Sequence, residues 1–193
     1  MKHLTVKEKE IETFEKMKSL FGYENAMAVP RMEKVVLNVG TGTAIKKDKN
    51  KNEAIALRLA KITGQKGAQR GAKQSIASFK IRQGDPIGIV VTLRGKRMFA
   101  FLEKLINVAL PRTKDFRGIN RTAVDNIGNL TLGIKEHTIF PETADEDIKD
   151  VFGMSITLVS TAKNKKEGIA FFEILGIPFK TEEFVRNARL LVI

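Results

Sequence analysis

The sequence predicts an α+β fold of two layers. Helices pack on one face of a mainly antiparallel sheet, and a basic β-hairpin projects from it. Three observations lead there. Segments with apolar residues three and four apart interleave with segments that alternate apolar and polar residues. The stretch Phe79–Gly95, FKIRQGDPIGIVVTLRG, reads as two strands joined at Gln83-Gly84-Asp85-Pro86, and a hairpin argues for antiparallel pairing. The predicted order is helix, strand, helix, strand, strand, helix, strand, short helix, strand, helix. With the helices on one face, the other face of the sheet is free to bind.

Taken in order, Thr5 and Glu8 form a capping-box pattern that opens a helix over residues 5–20. Its inward stripe is predicted as Ile11, Phe14, Met17, Leu20 and Phe21. Val29-Pro30-Arg31 breaks the helix, and Met32–Gly40 alternates as a strand with Val35, Leu37 and Val39 on one side. Asn38, on the other side, is either an edge residue bonding solvent or a hydrogen-bonding group on a binding face. Gly40-Thr41-Gly42-Thr43 lacks the third glycine of a dinucleotide loop and runs into the basic loop KKDKNKN instead of a helix. Asn50 and Glu53 then cap a helix with Ile55, Leu59 and Ile62 inward, stopped at Gly64.

Gly64–Ser75 reads as an exposed loop, flexible or ordered against phosphates. In the hairpin, Ile87, Ile89, Val91 and Leu93 face a core. Gly88, Val90, Thr92 and Arg94 face outward, and alternation places Phe79 with Ala77 and Ile81 in the core. A helix over Gly95–Leu110 carries Met98, Phe101, Leu102, Leu105 and Val108–Ala109 inward, and Pro111 ends it. Pro111–Asn129 shows no period and is long for a passive connection. Asn129–Phe140 reads as a strand, and Thr143 with Glu146 as a cap on a short helix bearing Ile148, Val151 and Phe152. Met154–Thr161 is a strand. Asn164 and Glu167 cap a last amphipathic helix ending at Gly176. Residues 1–180 are expected to form a single domain, with 181–193 as a C-terminal extension that could add a short helix.

The charge distribution points to a polyanionic partner. Residues 61–121 hold fourteen Lys or Arg against three acids, which accounts for nearly all of the net charge of +12. Such concentration costs self-repulsion and suits nucleic acid. A hydrophobic content of 42% and charged content of 29% fit a folded chain. No apolar run approaches the roughly 18 residues a membrane span needs, and no signal peptide opens the chain. A cytoplasmic protein without membrane contact is expected. The absence of cysteine removes disulfides and thiolate sites together.

Nothing in the chain demands catalysis. His3 and His137 lie far apart and in no metal-ligand spacing, and no nucleophile elbow or Walker loop is present. The acids of Glu142–Asp150 sit at a predicted helix N-terminus, where the dipole favours them. No cofactor and no metal are expected. With no Trp and one Tyr, a base-stacking platform is poorly supplied. That leaves phosphate neutralisation by cations, with Asn38, Gln65 and Thr92 as donors and acceptors for riboses. Phe116, among Arg112, Lys114 and Arg117, either stacks on a partner or pins its loop to the core. Two rivals stand beside RNA binding: a basic architectural DNA-binding protein and an enzyme acting on RNA.

Several motifs together narrow this. VPRMEKVVLNVG, TGQKG, SFKIRQGDPIGIVVTLRGKRM, LPRTKDFRGI, GNLTLGIKEHTIFPE and STAKNKKEGIAFFEILGIPF resemble the bacterial large-subunit ribosomal protein L-five family, in order, from Val29 to Lys180. The resemblance implies a two-layer α+β fold with an RNA-facing sheet. It implies a non-enzymatic component of the large subunit that binds 5S ribosomal RNA and helps seat it in the central protuberance. The implied partners are 5S rRNA, other large-subunit rRNA and proteins of the central protuberance, P-site transfer RNA and a small-subunit head protein. The family's RNA-contacting positions fall on Asn38, Gln65, Phe79 and Thr92, with Lys80, Arg82 and Arg94 as flanking cations. The transfer-RNA loop falls on Arg70–Gln74, including Lys73. The intersubunit bridge falls on Pro111–Gly118, with Arg112, Lys114, Phe116 and Arg117, and near Glu142–Asp150. Family members often carry lysine at the positions of Gly71 and Gln74 and an aromatic or apolar residue at Asp85, so this loop is less basic. Asn126-Ile127 likewise stands in place of a Gly-Arg pair.

Overall fold

A computed structural model describes residues 4–42, 51–114, 116–143 and 151–180. The expected α+β architecture is present. A five-stranded, mainly antiparallel sheet has the strand order β2-β3-β1-β5-β4. Its strands are β1 Met32–Gly40, β2 Ala68–Gly71, β3 Pro86–Leu93, β4 Leu130–Ile134 and β5 Met154–Ser160. The main helices are α1 Val6–Phe21, α2 Lys51–Thr63, α3 Gly95–Lys104 and α5 Lys165–Leu175, with a last helical turn, α4, at Leu110–Arg112. The chain divides into two compact units, one of Met1–Glu33, Leu102–Leu132 and Leu158–Ile193, the other of Lys34–Phe101 and Gly133–Thr157.

In the first unit, α1 opens on the predicted capping box. Thr5 Oγ1 accepts from the Glu8 amide and Glu8 Oε2 accepts from the Thr5 amide at 2.7 Å, two orphan donors satisfied reciprocally. Of the predicted stripe only Met17 is fully buried, and it goes inward with Val6 and Thr13. Ile11 and Leu20 are 71% and 65% exposed. Two anchors fix this rotation. Glu10 accepts the Met32 amide at 2.7 Å at the mouth of β1, and Tyr23, just past the helix end, bonds Glu167 at the start of α5. Helix α5 keeps its predicted cap, Asn164 accepting from the Glu167 amide at 2.9 Å, and buries Phe171, Phe172 and Leu175. It runs in the opposite sense to α1, since its C-terminal Gly176 adjoins Lys9.

In the second unit, Val35, Leu37 and Val39 of β1 and Ile89, Val91 and Leu93 of β3 all lie at or below 1% exposure, as alternation predicts. Helix α2 lays Ile55, Leu59 and Ile62 inward, and Asn52 donates to the Pro86 carbonyl at 3.1 Å. Phe101 stacks on Phe140 at 5.9 Å, and His137 on Phe152 at 4.1 Å.

Three predicted boundaries change. The helix from Gly95 does not end at Pro111 but runs to Arg112 through a π turn over Leu105–Ala109, with the Leu110 amide reaching the Leu105 carbonyl. A proline ring strikes the carbonyl one turn back, and a wider turn clears it. The added residue shifts the phase, so Ile106 is buried and Val108 only partly so. The strand from Asn129 stops at Ile134 and gives way to a 3-10 turn at His137–Ile139. The hairpin is built differently too, with a turn where its first strand is expected. Predictions for the KKDKNKN loop as far as Asn50, the Glu146 cap with its helix, and the extension 181–193 lie outside the described residues.

Candidate nucleic-acid interface

The outward face of the sheet is assembled by strand alternation. On β1, Lys34, Val36 and Asn38 point away from the core, and on β3 so do Val90 and Thr92. Antiparallel pairing sets Asn38 opposite Val90 and Val36 opposite Thr92, so the two polar groups lie diagonally on one surface. Asn38 is exposed and Thr92 half-buried. Ser155 of β5 adjoins Asn38, its hydroxyl donating to the Asn38 carbonyl at 3.4 Å. Sequence reasoning missed Ser155 and Thr157, although the alternation of Met154–Ser160 marks both as outward positions.

Gln65 sits beside this face, and its amide is already engaged. Nε2 donates to the Thr92 carbonyl at 3.1 Å, and Oε1 accepts from Arg97 at 3.4 Å. It therefore ties the start of β2 and a helix α3 cation to β3. Arg94 is exposed at the end of β3.

The predicted first strand of the hairpin, with Lys80 and Arg82, does not form. Residues Ala77–Phe79 make a 3-10 turn, and Lys80 adopts φ 51°, the left-handed region. The hairpin partner of β3, on the edge away from β1, is instead β2, which pairs Ala68 with Val90 and Arg70 with Gly88. The hairpin tip accordingly lies at 77–80, and the turn predicted at Gln83-Gly84 forms just before β3, closed by the Asp85 amide on the Arg82 carbonyl at 3.1 Å. Phe79, expected in the core by alternation, is 58% exposed at this tip, because no strand pairing turns it inward. Lys73, Gln74, Lys80 and Arg82 are exposed around it, and Arg70 is exposed on β2. The Gly64–Ser75 stretch thus contains an edge strand.

All of these residues belong to the second unit. The other predicted group, Arg112, Lys114, Phe116 and Arg117, belongs to the first. There the three cations are exposed and Phe116 is half-buried, its amide donating to the Thr113 carbonyl at 3.3 Å. The following chain is pinned at Ile119, whose amide donates to the Pro178 carbonyl at 2.8 Å and whose carbonyl accepts from the Lys180 amide at 2.9 Å, a short parallel bridge to Phe179. No group of three His, Cys, Asp or Glu among the described residues is placed to hold a metal ion. No helix among them is long and apolar enough to cross a membrane.

Comparison with known proteins decides the family. The model for ribosomal protein L5 matches residues 25–82, and the model for the C-terminus of that ribosomal family matches residues 86–179. The chain belongs to the ribosomal protein L5 family. It is 50% identical over 169 residues to the large ribosomal subunit protein uL5 of Trichlorobacter lovleyi, covering 88% of this chain and 94% of that one. It is 52% identical over 165 residues to uL5 of Desulfatibacillum aliphaticivorans, covering 86% and 92%. Against uL5 of Dictyoglomus turgidum the figures are 51% over 160 residues, 83% and 89%. As an L5 family member the chain is a component of the large ribosomal subunit, with ribosomal RNA and ribosomal proteins as partners, and not an enzyme.

Proposed function

We propose that this chain binds 5S ribosomal RNA through the outward face of β1 and β3 and helps seat it in the central protuberance. Asn38 and Thr92 offer hydrogen bonds to riboses. Lys80, Arg82 and Arg94 neutralise phosphates, and Phe79 presents an exposed ring. Gln65 acts by holding the Thr92 segment as much as by touching RNA. The hairpin around Arg70, Lys73 and Gln74 approaches P-site transfer RNA. The loop with Arg112, Lys114, Phe116 and Arg117 meets a small-subunit head protein. The observation that carries the reading is the diagonal pair Asn38 and Thr92 on an open sheet face, in the same unit as the exposed cations of residues 70–94.

Competition tests it. Labelled 5S rRNA is bound and then challenged with unlabelled 5S rRNA or with duplex DNA of equal length. An RNA reader yields to the first and loses little to the second. Equal displacement by DNA would favour an architectural DNA-binding protein.

A further inference from the structure

The connection between β2 and β3 spans residues 72–85, far longer than a usual hairpin loop of about 2–5 residues. Residues 73–80 are all exposed, so no core holds them. The backbone is nevertheless closed at both ends. At the base, the Ala72 amide donates to the Asp85 carbonyl at 2.8 Å and the Gly84 amide to the Ala72 carbonyl at 3.0 Å. Gly71 permits this approach, since a Cβ there would stand 3.0 Å from the Gly84 carbonyl oxygen. At the tip, Ile76 and Ile81 exchange backbone bonds at 3.0 and 3.3 Å around the 77–80 turn.

Between these two closures lie the amides of Arg82 and Gln83, and side chains take both. Asp85 Oδ2 accepts from Arg82 at 2.7 Å, and Ser75 Oγ accepts from Gln83 at 2.9 Å. We infer that Ser75 and Asp85 are positioning residues for RNA binding: they splice the base of the hairpin to its tip and so hold Phe79 and Lys80 in a fixed pose before RNA arrives. An exposed loop left free would lose conformational entropy on binding, and prior ordering removes that cost. The inference rests on the reading that this face meets RNA.

The test uses the full-length protein with Asp85→Ala, Ser75→Ala, both together, and Asp85→Asn, which keeps an oxygen acceptor. Trypsin cleavage after Lys80 and Arg82 reports the order of the tip without any ligand. It should quicken about tenfold in the doubly substituted protein, the factor that accompanies 1.4 kcal/mol, and stay unchanged in Asp85→Asn. Affinity for 5S rRNA should fall about tenfold in the same double variant. Charge alone predicts the reverse, because removing an acid strengthens binding to a polyanion. Asp85→Asn should therefore bind at least as tightly as the unaltered protein. The loss should shrink in a Phe79→Ala background and persist in full in an Asn38→Ala background. Unchanged cleavage, unchanged affinity, or an equal loss in both backgrounds would overturn the positioning role. If the unaltered protein fails to bind 5S rRNA, the parent reading falls and the RNA role with it. If it binds and only the variants behave alike, the parent reading stands and the positioning role alone is lost.

Discussion

Met17 and Ile11 share helix α1 and look alike to a hydropathy scan, yet Met17 is 0% exposed and Ile11 71%. Met17→Ala should cost about 2–5 kcal/mol, since it deletes buried atoms and leaves a cavity. Ile11→Ala should stay within about 0.5 kcal/mol. Denaturant titration of both variants measures the contrast, and equal costs would mean that Ile11 is buried. Tyr23 makes a prediction about pH. Burial, then the hydrogen bond to Glu167 and its negative charge, push the phenol well above its ordinary value. The folded protein keeps this proton where the unfolded chain loses it, near pH 10. The stabilisation is thus whole below about pH 10 and is lost as pH rises further. Compared with Tyr23→Phe, the unaltered protein should lose its relative stability only on the alkaline side. Parallel curves through that range would contradict the bond to Glu167.

Elements are legible in the sequence where burial imposes a period. β1 can be read to the residue because Val35, Leu37 and Val39 alternate against a core. α5 can be read from Asn164 to Gly176 because both caps are written in the sequence. β2 cannot, and the reason is physical: Ala68–Gly71 is exposed at every position, so no apolar residue marks its register. The expectation for Phe79 fails in consequence, because alternation does not carry across a turn that breaks it. Helix α1 is legible but its rotation is not, because the bonds from Glu10 and Tyr23 that set its face are long-range. Among the elements, the capping box of α1 predicts that Thr5→Ala lowers stability by about 1 kcal/mol. Thermal unfolding checks this, and no change would place Thr5 outside the cap. The turn at Gly118 is held more tightly. Its φ is +88°, and a Cβ there would lie 2.9 Å from the Lys180 amide nitrogen and the Phe179 carbonyl carbon. Gly118→Ala should destabilise the unit measurably through backbone strain and displacement of the 178–180 segment.

For the whole molecule, the concentration of charge in residues 61–121 is visible in the sequence, and the candidate face it serves requires the fold. Asn38 and Thr92 are 54 positions apart in number and meet only because β1 and β3 pair antiparallel. Phosphate neutralisation by these cations predicts a steep fall of affinity with salt, with a log–log slope of about 0.7–0.9 per phosphate contacted. Lys80→Ala should lower the slope by roughly one contact. The most direct measurement is the binding of 5S rRNA by the unaltered protein, Asn38→Ala and Thr92→Ala at two salt concentrations. The account predicts tight binding that weakens with salt and is further weakened in both variants at either salt. Binding that is indifferent to both substitutions would contradict recognition by the sheet face, and binding indifferent to salt would contradict phosphate neutralisation.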